Sequence, residues 1–317
     1  MKLPGLFAHL RALDALNIFF LVFLSGLALF FAGKIPVWNL LIAANLLGGV
    51  IIYFISIPPP HPNSFVKKLI RDWYVLPLVF LVFKEIYIVI QSLARDDYDH
   101  LLIDIDRKIF GCDPTVWLSK YTAPLLTEIL QIAYASYFII MFTVALELYL
   151  RDKKESHINY LFTLMLGFYI SYIGYLIVPA IGPRFTLHDF KLLDKELPGL
   201  YFAVPLRDFL NAAESIPKNS PDAWMLAQRD VFPSGHTAMT LIALFFAAKY
   251  HLKSRWFLYV AGVLLIIATV YLRYHYVVDL IGGALTMLMV VALAPIFLRW
   301  WEKVQTTSLR STRNEVF

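Results

Sequence analysis

Apolar runs long enough to cross a lipid bilayer recur along the whole chain, and no other feature constrains its folding as strongly. Eight candidate spans lie at about 14–33, 37–57, 74–93, 122–150, 158–180, 233–250, 256–273 and 277–298. About 20 apolar residues carry a helix across the hydrocarbon core. Inside that core each backbone polar group needs an internal partner, which leaves helices or closed barrels. A barrel would show short alternating segments, whereas these runs are continuously apolar. Of 317 residues, 59% are hydrophobic and 16% charged, against about a quarter charged in a soluble domain. The expected fold is an all-α polytopic membrane helical bundle. Its breaks are the Pro-rich "SIPPPHPN" at 56–63 and the charged turns "RDKKESH" at 151–157 and "KYHLKSR" at 249–255.

Charge sets the orientation. Basic residues concentrate in short cytoplasmic loops. With the N-terminus inside, segments 1–13, 58–73, 151–157, 249–255 and 299–317 hold 15 Lys/Arg and 5 Asp/Glu, while 34–36, 94–121 and 181–232 hold 11 and 13. Both termini are therefore expected in the cytoplasm, with 181–232 a long extracytoplasmic loop. The net charge of +5 reflects this loop asymmetry, not nucleic-acid binding. The single Cys112 excludes an intrachain disulfide and has no metal-site spacing. The first apolar run follows no small-residue cleavage site and reads as a retained helix.

On the outer surface the sixth span opens with "FPSGHTAMT", Phe232 to Thr240. Pro233 suits the first turn of a helix, the N–H groups after it face outward and favour an anion, and Gly235 lets a ligand approach the backbone. The same surface carries "YLRYHYVVDLIGG", where His275 and Asp279 share a face at i,i+4 if the segment is helical. A carboxylate beside an imidazole fixes one ring nitrogen as donor and leaves the other as nucleophile or base. "VPAIGPRF" ends the fifth span and presents Arg184. An arginine, a Ser-Gly-His at a helix start and a His-Asp pair near Arg273 make a kit for phosphoryl transfer.

"PSGH" at 233–236 followed by "HYVVD" at 275–279 resembles the type 2 phosphatidic acid phosphatase (PAP2) superfamily, whose second motif is Pro-Ser-Gly-His and whose third ends His-x-x-x-Asp. Its first motif, Lys-x6-Arg-Pro, is absent: "GPRF" stands there, with Ile177 at the Lys position and Phe185 at the Pro position. The third motif's usual Arg is Thr269 here, and the nearest arginine is Arg273. This variant, with "DRKIFGCDPTVWL" at 106–118, is most similar to the inositol phosphorylceramide synthase branch. The resemblance covers about residues 100–295. It implies a six-helix core preceded by two extra helices, with residues 1–73 an N-terminal two-helix segment, 74–300 the catalytic core and 301–317 a tail. It implies a phosphohistidine mechanism on a lipid phosphoester, without metal or other cofactor. His275 attacks phosphorus, Asp279 orients it and His236 protonates the leaving group. Ser234, Gly235, Arg184 and Arg273 hold phosphate oxygens. The acceptor is another alcohol or water, and the motifs do not separate the two.

Other readings stand beside this one. Lys84 and Glu85 in the third span cannot pair with each other at i,i+1 and read as structural groups paired to other helices. A transporter would need such charges at the bilayer midplane. "DID" at 104–106 reads as part of an interfacial amphipathic stretch and not as a metal pair, and "LPGLYFAVPL" at 197–206 is apolar enough to dip into the interface.

The orientation is checked by a cysteine placed in 181–232 on a Cys112→Ser background. It is expected to react with a membrane-impermeant thiol reagent in intact cells, and a cysteine in 151–157 is not. The reverse pattern would turn the protein over in the membrane.

Overall fold

The structure, a computed structural model, describes residues 9–58, 65–93, 96–217, 220 and 222–314. Most of the Pro-rich break at 56–63, and the expected inner ends 1–8 and 315–317, lie outside them. Among the described residues regular structure is entirely helical: α1 Ala12–Phe30, α2 Trp38–Ser56, α3 Phe65–Trp73, α4 Val75–Leu93, α5 Asp99–Phe110, α6 Pro114–Leu118, α7 Pro124–Ala135, α8 Tyr137–Leu150, α9 Lys154–Ile177, α10 Pro183–Thr186, α11 Leu193–Glu196, α12 Ala203–Ala213, α13 Ala223–Leu226, α14 Gly235–Lys249, α15 Arg255–Tyr271 and α16 Val277–Asn314. Helix occupies each of the eight expected places. Among the described residues, five stretches are long and apolar enough to cross a membrane, and a sixth qualifies if α7 and α8 count as one bent span. With 15 and 17 residues, α14 and α15 are shorter.

Two expected boundaries moved for identifiable reasons. The run 122–150 is two helices meeting at 48°. At the break the Ser136 hydroxyl donates to the Ala133 carbonyl at 2.7 Å, and such back-bonding competes with the helical ladder and bends it. The last helix continues past the expected end at 298 to Asn314, because 298–314 contains neither Gly nor Pro to stop it.

The chain divides into two units. One comprises residues up to 94, 154–169 and 289 onward; the other comprises 95–153 and 170–288. In the first, α1 and α2 pair closely, and several buried polar residues form linked sets. Asp14 accepts from Arg11 and from the Tyr74 hydroxyl, and Asn17 bridges Tyr74 and Tyr169. Glu85 is buried and accepts from Asn45 of α2 at 2.7 Å, whereas its neighbour Lys84 is exposed. The midspan acid is thus a helix-to-helix tie, the structural role expected for Glu85.

Asn45→Val leaves the Glu85 carboxyl without its donor, at an expected cost of about 1–3 kcal/mol. The double change with Glu85→Leu removes both polar partners and is expected to recover most of that loss. Thermal unfolding in detergent reads both. No recovery in the double variant would mean that the pair does more than satisfy itself.

Candidate active site

All the residues singled out for chemistry lie in the second unit. Its organiser is α5, which ends at Gly111 in the left-handed conformation. Asp99, Leu102 and Asp106 are buried along one face, at i, i+3 and i+7. Asp106 accepts the N–H groups of Val277 and Val278, each at 2.8 Å. These first N–H groups of α16 have no intrahelical acceptor, and a carboxylate there also meets the positive end of the helix dipole. Asp99 accepts from the N–H groups of Ile181 and Gly182 at 2.9 and 2.8 Å and from the Tyr276 hydroxyl at 2.7 Å. Asp104 is exposed while Asp106 is buried, so the "DID" carboxylates face apart.

Gly182 takes φ +92°, and a Cβ there would lie 2.8 Å from the Tyr274 carbonyl. Glycine therefore lets the chain pass against the turn before α16, and the Arg184 N–H bonds the Arg273 carbonyl at 3.0 Å. The start of α14 joins the same turn through Ser234 N–H to the Asp279 carbonyl, also at 3.0 Å. The three elements expected to converge do meet.

His275 lies in the turn between Tyr271 and Val277, not on a helix. Its pairing with Asp279 arises from cap geometry: the Tyr276 N–H donates to Asp279 Oδ2 at 2.8 Å, which brings that oxygen to 3.4 Å from His275 Nδ1. A closer acceptor for Nδ1 is the Val231 carbonyl at 3.1 Å. Nδ1–H pointing there makes Nε2 the ring acceptor, and Nε2 lies 3.4 Å from His236 Nδ1. Burial, and then the neighbouring His236, push the His275 pKa well below its ordinary value, so the imidazole stays neutral at pH 7. Asp279 is fully buried, and its Oδ1 has no hydrogen-bond partner.

Pro233 precedes the helix instead of occupying its first turn. The N-cap is Ser234, whose hydroxyl accepts the Thr237 N–H at 3.2 Å, and serine at that position outcompetes proline at the first turn. The space a Gly235 side chain would fill is not open to a ligand: the Tyr175 hydroxyl lies 2.5 Å from a Cβ built there. His236 is half-buried between Tyr134 and Tyr137, at ring-centre distances of 4.7 and 4.4 Å. Tyr134 stacks on Tyr274 at 4.3 Å, and the Arg184 guanidinium lies 4.7 Å over Tyr274. Arginine, two tyrosines and the histidine form one column.

Both arginines already hold carboxylates. Arg184 pairs with Glu214 and donates to Asn211 at 3.2 Å. Arg273, in the turn with φ +68°, pairs with Glu196, and its Nε is buried without a partner. An incoming anion must share or displace these acids. Among the described residues no group of three or more His, Cys, Asp or Glu side chains is arranged to hold a metal ion. Sequence reasoning missed the tyrosine column, the Val231 carbonyl, Asp99 and the two glutamates. Of the residues that position the site, only Asp106 and Tyr274 lay in stretches it had marked.

Helices long and apolar enough to span a membrane, together with two adjacent imidazoles and two arginines, define an integral membrane protein with a site suited to phosphate chemistry. The PAP2 superfamily model matches residues 100–293, more than half of the chain, and the chain belongs to that superfamily. It is 30% identical over 185 residues to a Dictyostelium discoideum protein described as PA-phosphatase related. That match takes in 52% of this chain and 31% of the relative, so the chain spans about a third of the relative's length. No solved structure matches it at a significant level.

Asp106→Ala strips two buried N–H groups of their acceptor. It is expected to cost about 1–3 kcal/mol in thermal unfolding and to lower turnover. Asp104→Ala, at an exposed position, should stay within about 0.5 kcal/mol of the parent. Equal effects of the two changes would refute the anchoring role of Asp106.

Proposed function

We propose that this protein is a membrane enzyme that transfers a phosphate-bearing group from a lipid phosphoester through a phosphohistidine on His275, at the extracytoplasmic surface. The observation that carries this reading is the placement of the His275 imidazole: Nδ1 lies 3.1 Å from the Val231 carbonyl and Nε2 faces His236 at 3.4 Å. The Nε2 lone pair forms the N–P bond while the P–O bond to the leaving alcohol breaks, and His236 supplies the proton to that oxygen. In the second half-reaction His236 takes the proton of the acceptor hydroxyl, a new O–P bond forms and N–P breaks. Asp279, 3.4 Å from Nδ1, stabilises the charge His275 gains. Phosphate oxygens are held by Arg184, Arg273 and Ser234, the Gly235 backbone being closed off by Tyr175. Each arginine has five N–H donors, more than its carboxylate uses.

An alcohol acceptor, as in inositol phosphorylceramide synthases, is supported by the variant motifs: no Lys-x6-Arg-Pro, and "HYVVD" as the third motif. Water as acceptor is favoured by the relative described as PA-phosphatase related. Pure enzyme incubated with phosphatidylinositol plus ceramide, or with phosphatidic acid, separates the two by mass spectrometry of the products. Transfer to ceramide supports the first; release of inorganic phosphate from phosphatidic acid alone supports the second.

His275→Ala is expected to abolish the trapped phosphoenzyme and to lower turnover by about a thousandfold or more. His236→Ala should still form phosphoenzyme, slowly, from a substrate with a good leaving group. Near-normal turnover in His275→Ala rejects the mechanism. Arg184→Ala is expected to lose about a hundredfold or more, as typical of a lost transition-state contact. Arg184→Lys, which keeps charge but not the bidentate fork, should fall between, and Arg273→Ala should behave like Arg184→Ala. A fully active Arg184→Ala beside a dead Arg273→Ala would place the clamp on Arg273 alone.

A further inference from the structure

Glu128 of α7 is buried, and its acceptors are taken up by backbone. Its carboxylate accepts four successive backbone N–H groups, those of Leu200, Tyr201, Phe202 and Ala203, at 2.8, 3.1, 2.5 and 3.1 Å. The side chains of the first three point the other way. Leu200 is 51% exposed, Tyr201 81% and Phe202 59%. The apolar face continues along α12 at helical spacing, through Pro205 and the 68% exposed Phe209, while Ala203 and Arg207 on the opposite face are buried.

We propose that Leu200–Phe202 and this face of α12 insert into the lipid interface of the bilayer that holds the protein. Three observations select lipid as the occupant. Backbone can enter an apolar phase only when its polar groups are satisfied, and Glu128 satisfies this turn's N–H groups from below. The outward residues are two aromatics and a leucine, and tyrosine, apolar in body with a polar tip, favours the membrane–water boundary. Glu128 also ties the turn to a helix that itself faces lipid: α7 qualifies as a span together with α8, and its Leu125, Ile129 and Ile132 are exposed at i, i+4 and i+7. The same helix carries Tyr134, stacked on His236, about 9 Å further along the axis. Lipid gathered at the turn therefore lies one helix face from the imidazoles. This last step rests on the phosphotransfer reading; the insertion does not.

The test uses the full chain with Cys112→Ser, labelled at Tyr201→Cys with an environment-sensitive fluorophore and reconstituted in phosphatidylcholine vesicles. A label at Lys195→Cys, an exposed position on α11, serves as the reference. The label at 201 is expected to be quenched by brominated phosphatidylcholine at least about threefold more than the reference, and by aqueous iodide far less. Iodide quenching equal to the reference would put the turn in water and overturn the proposal. Protection from both quenchers would mean protein covers it, a second copy of the chain included, and would overturn it too. These readings need no turnover, so they stand apart from the proposed reaction. Tyr201→Ser with Phe202→Ser should then lower the ratio of activity on bilayer lipid phosphate to activity on a water-soluble phosphate monoester about tenfold. An unchanged ratio would dissociate the turn from lipid access.

Discussion

A backbone N–H buried where water cannot reach must find an acceptor or cost a large part of the stability of its surroundings. The second unit meets that demand with carboxylates. Asp99, Asp106 and Glu128 together accept eight backbone N–H groups, at the "AIG" turn, the start of α16 and the turn before α12. Each is a place where regular helix stops and the chain must bend to bring a side chain to the site. Asp99 and Asp106 fix the ends of the segments bearing Arg184 and His275, which also touch directly through the Arg184 N–H on the Arg273 carbonyl. The acids thus do for this region what a hydrogen-bond ladder does within a helix.

The same chemistry sets the state of the site. Both arginines are charged and deeply buried, and a buried charge persists only if paired. Glu214 and Glu196 supply the pairing from the 185–231 loop. In the proposed reaction a phosphate group competes with these loop acids for the same guanidinium donors. The tyrosine column does the corresponding work for His236, giving the imidazole flat walls on two sides and leaving one edge toward His275.

Much of this was legible beforehand, and the reasons differ by residue. Span-length apolar runs locate helices because hydrocarbon permits little else, and helix stands at all eight places. "PSGH" and "HYVVD" point to His236 and His275 as candidates because the two motifs occur together. The reasoning was less sound in detail. Helical periodicity explained the proximity of His275 and Asp279, yet His275 lies before the helix, and the contact comes from an N-terminal cap. Gly235 looked like room for a ligand, and Tyr175 takes that room.

What the sequence by itself determined is the helical class, the membrane habit and the identity of the two histidines, since these follow from local composition and short spacings. Only the tertiary structure decided which acceptor orients His275, which acids neutralise Arg184 and Arg273, and that Asp99 and Asp106 hold the site together. Those contacts join residues up to 177 positions apart. A carboxylate that binds a distant N–H looks, in sequence, like any other carboxylate on an amphipathic helix; its partner is defined only once the chain has folded.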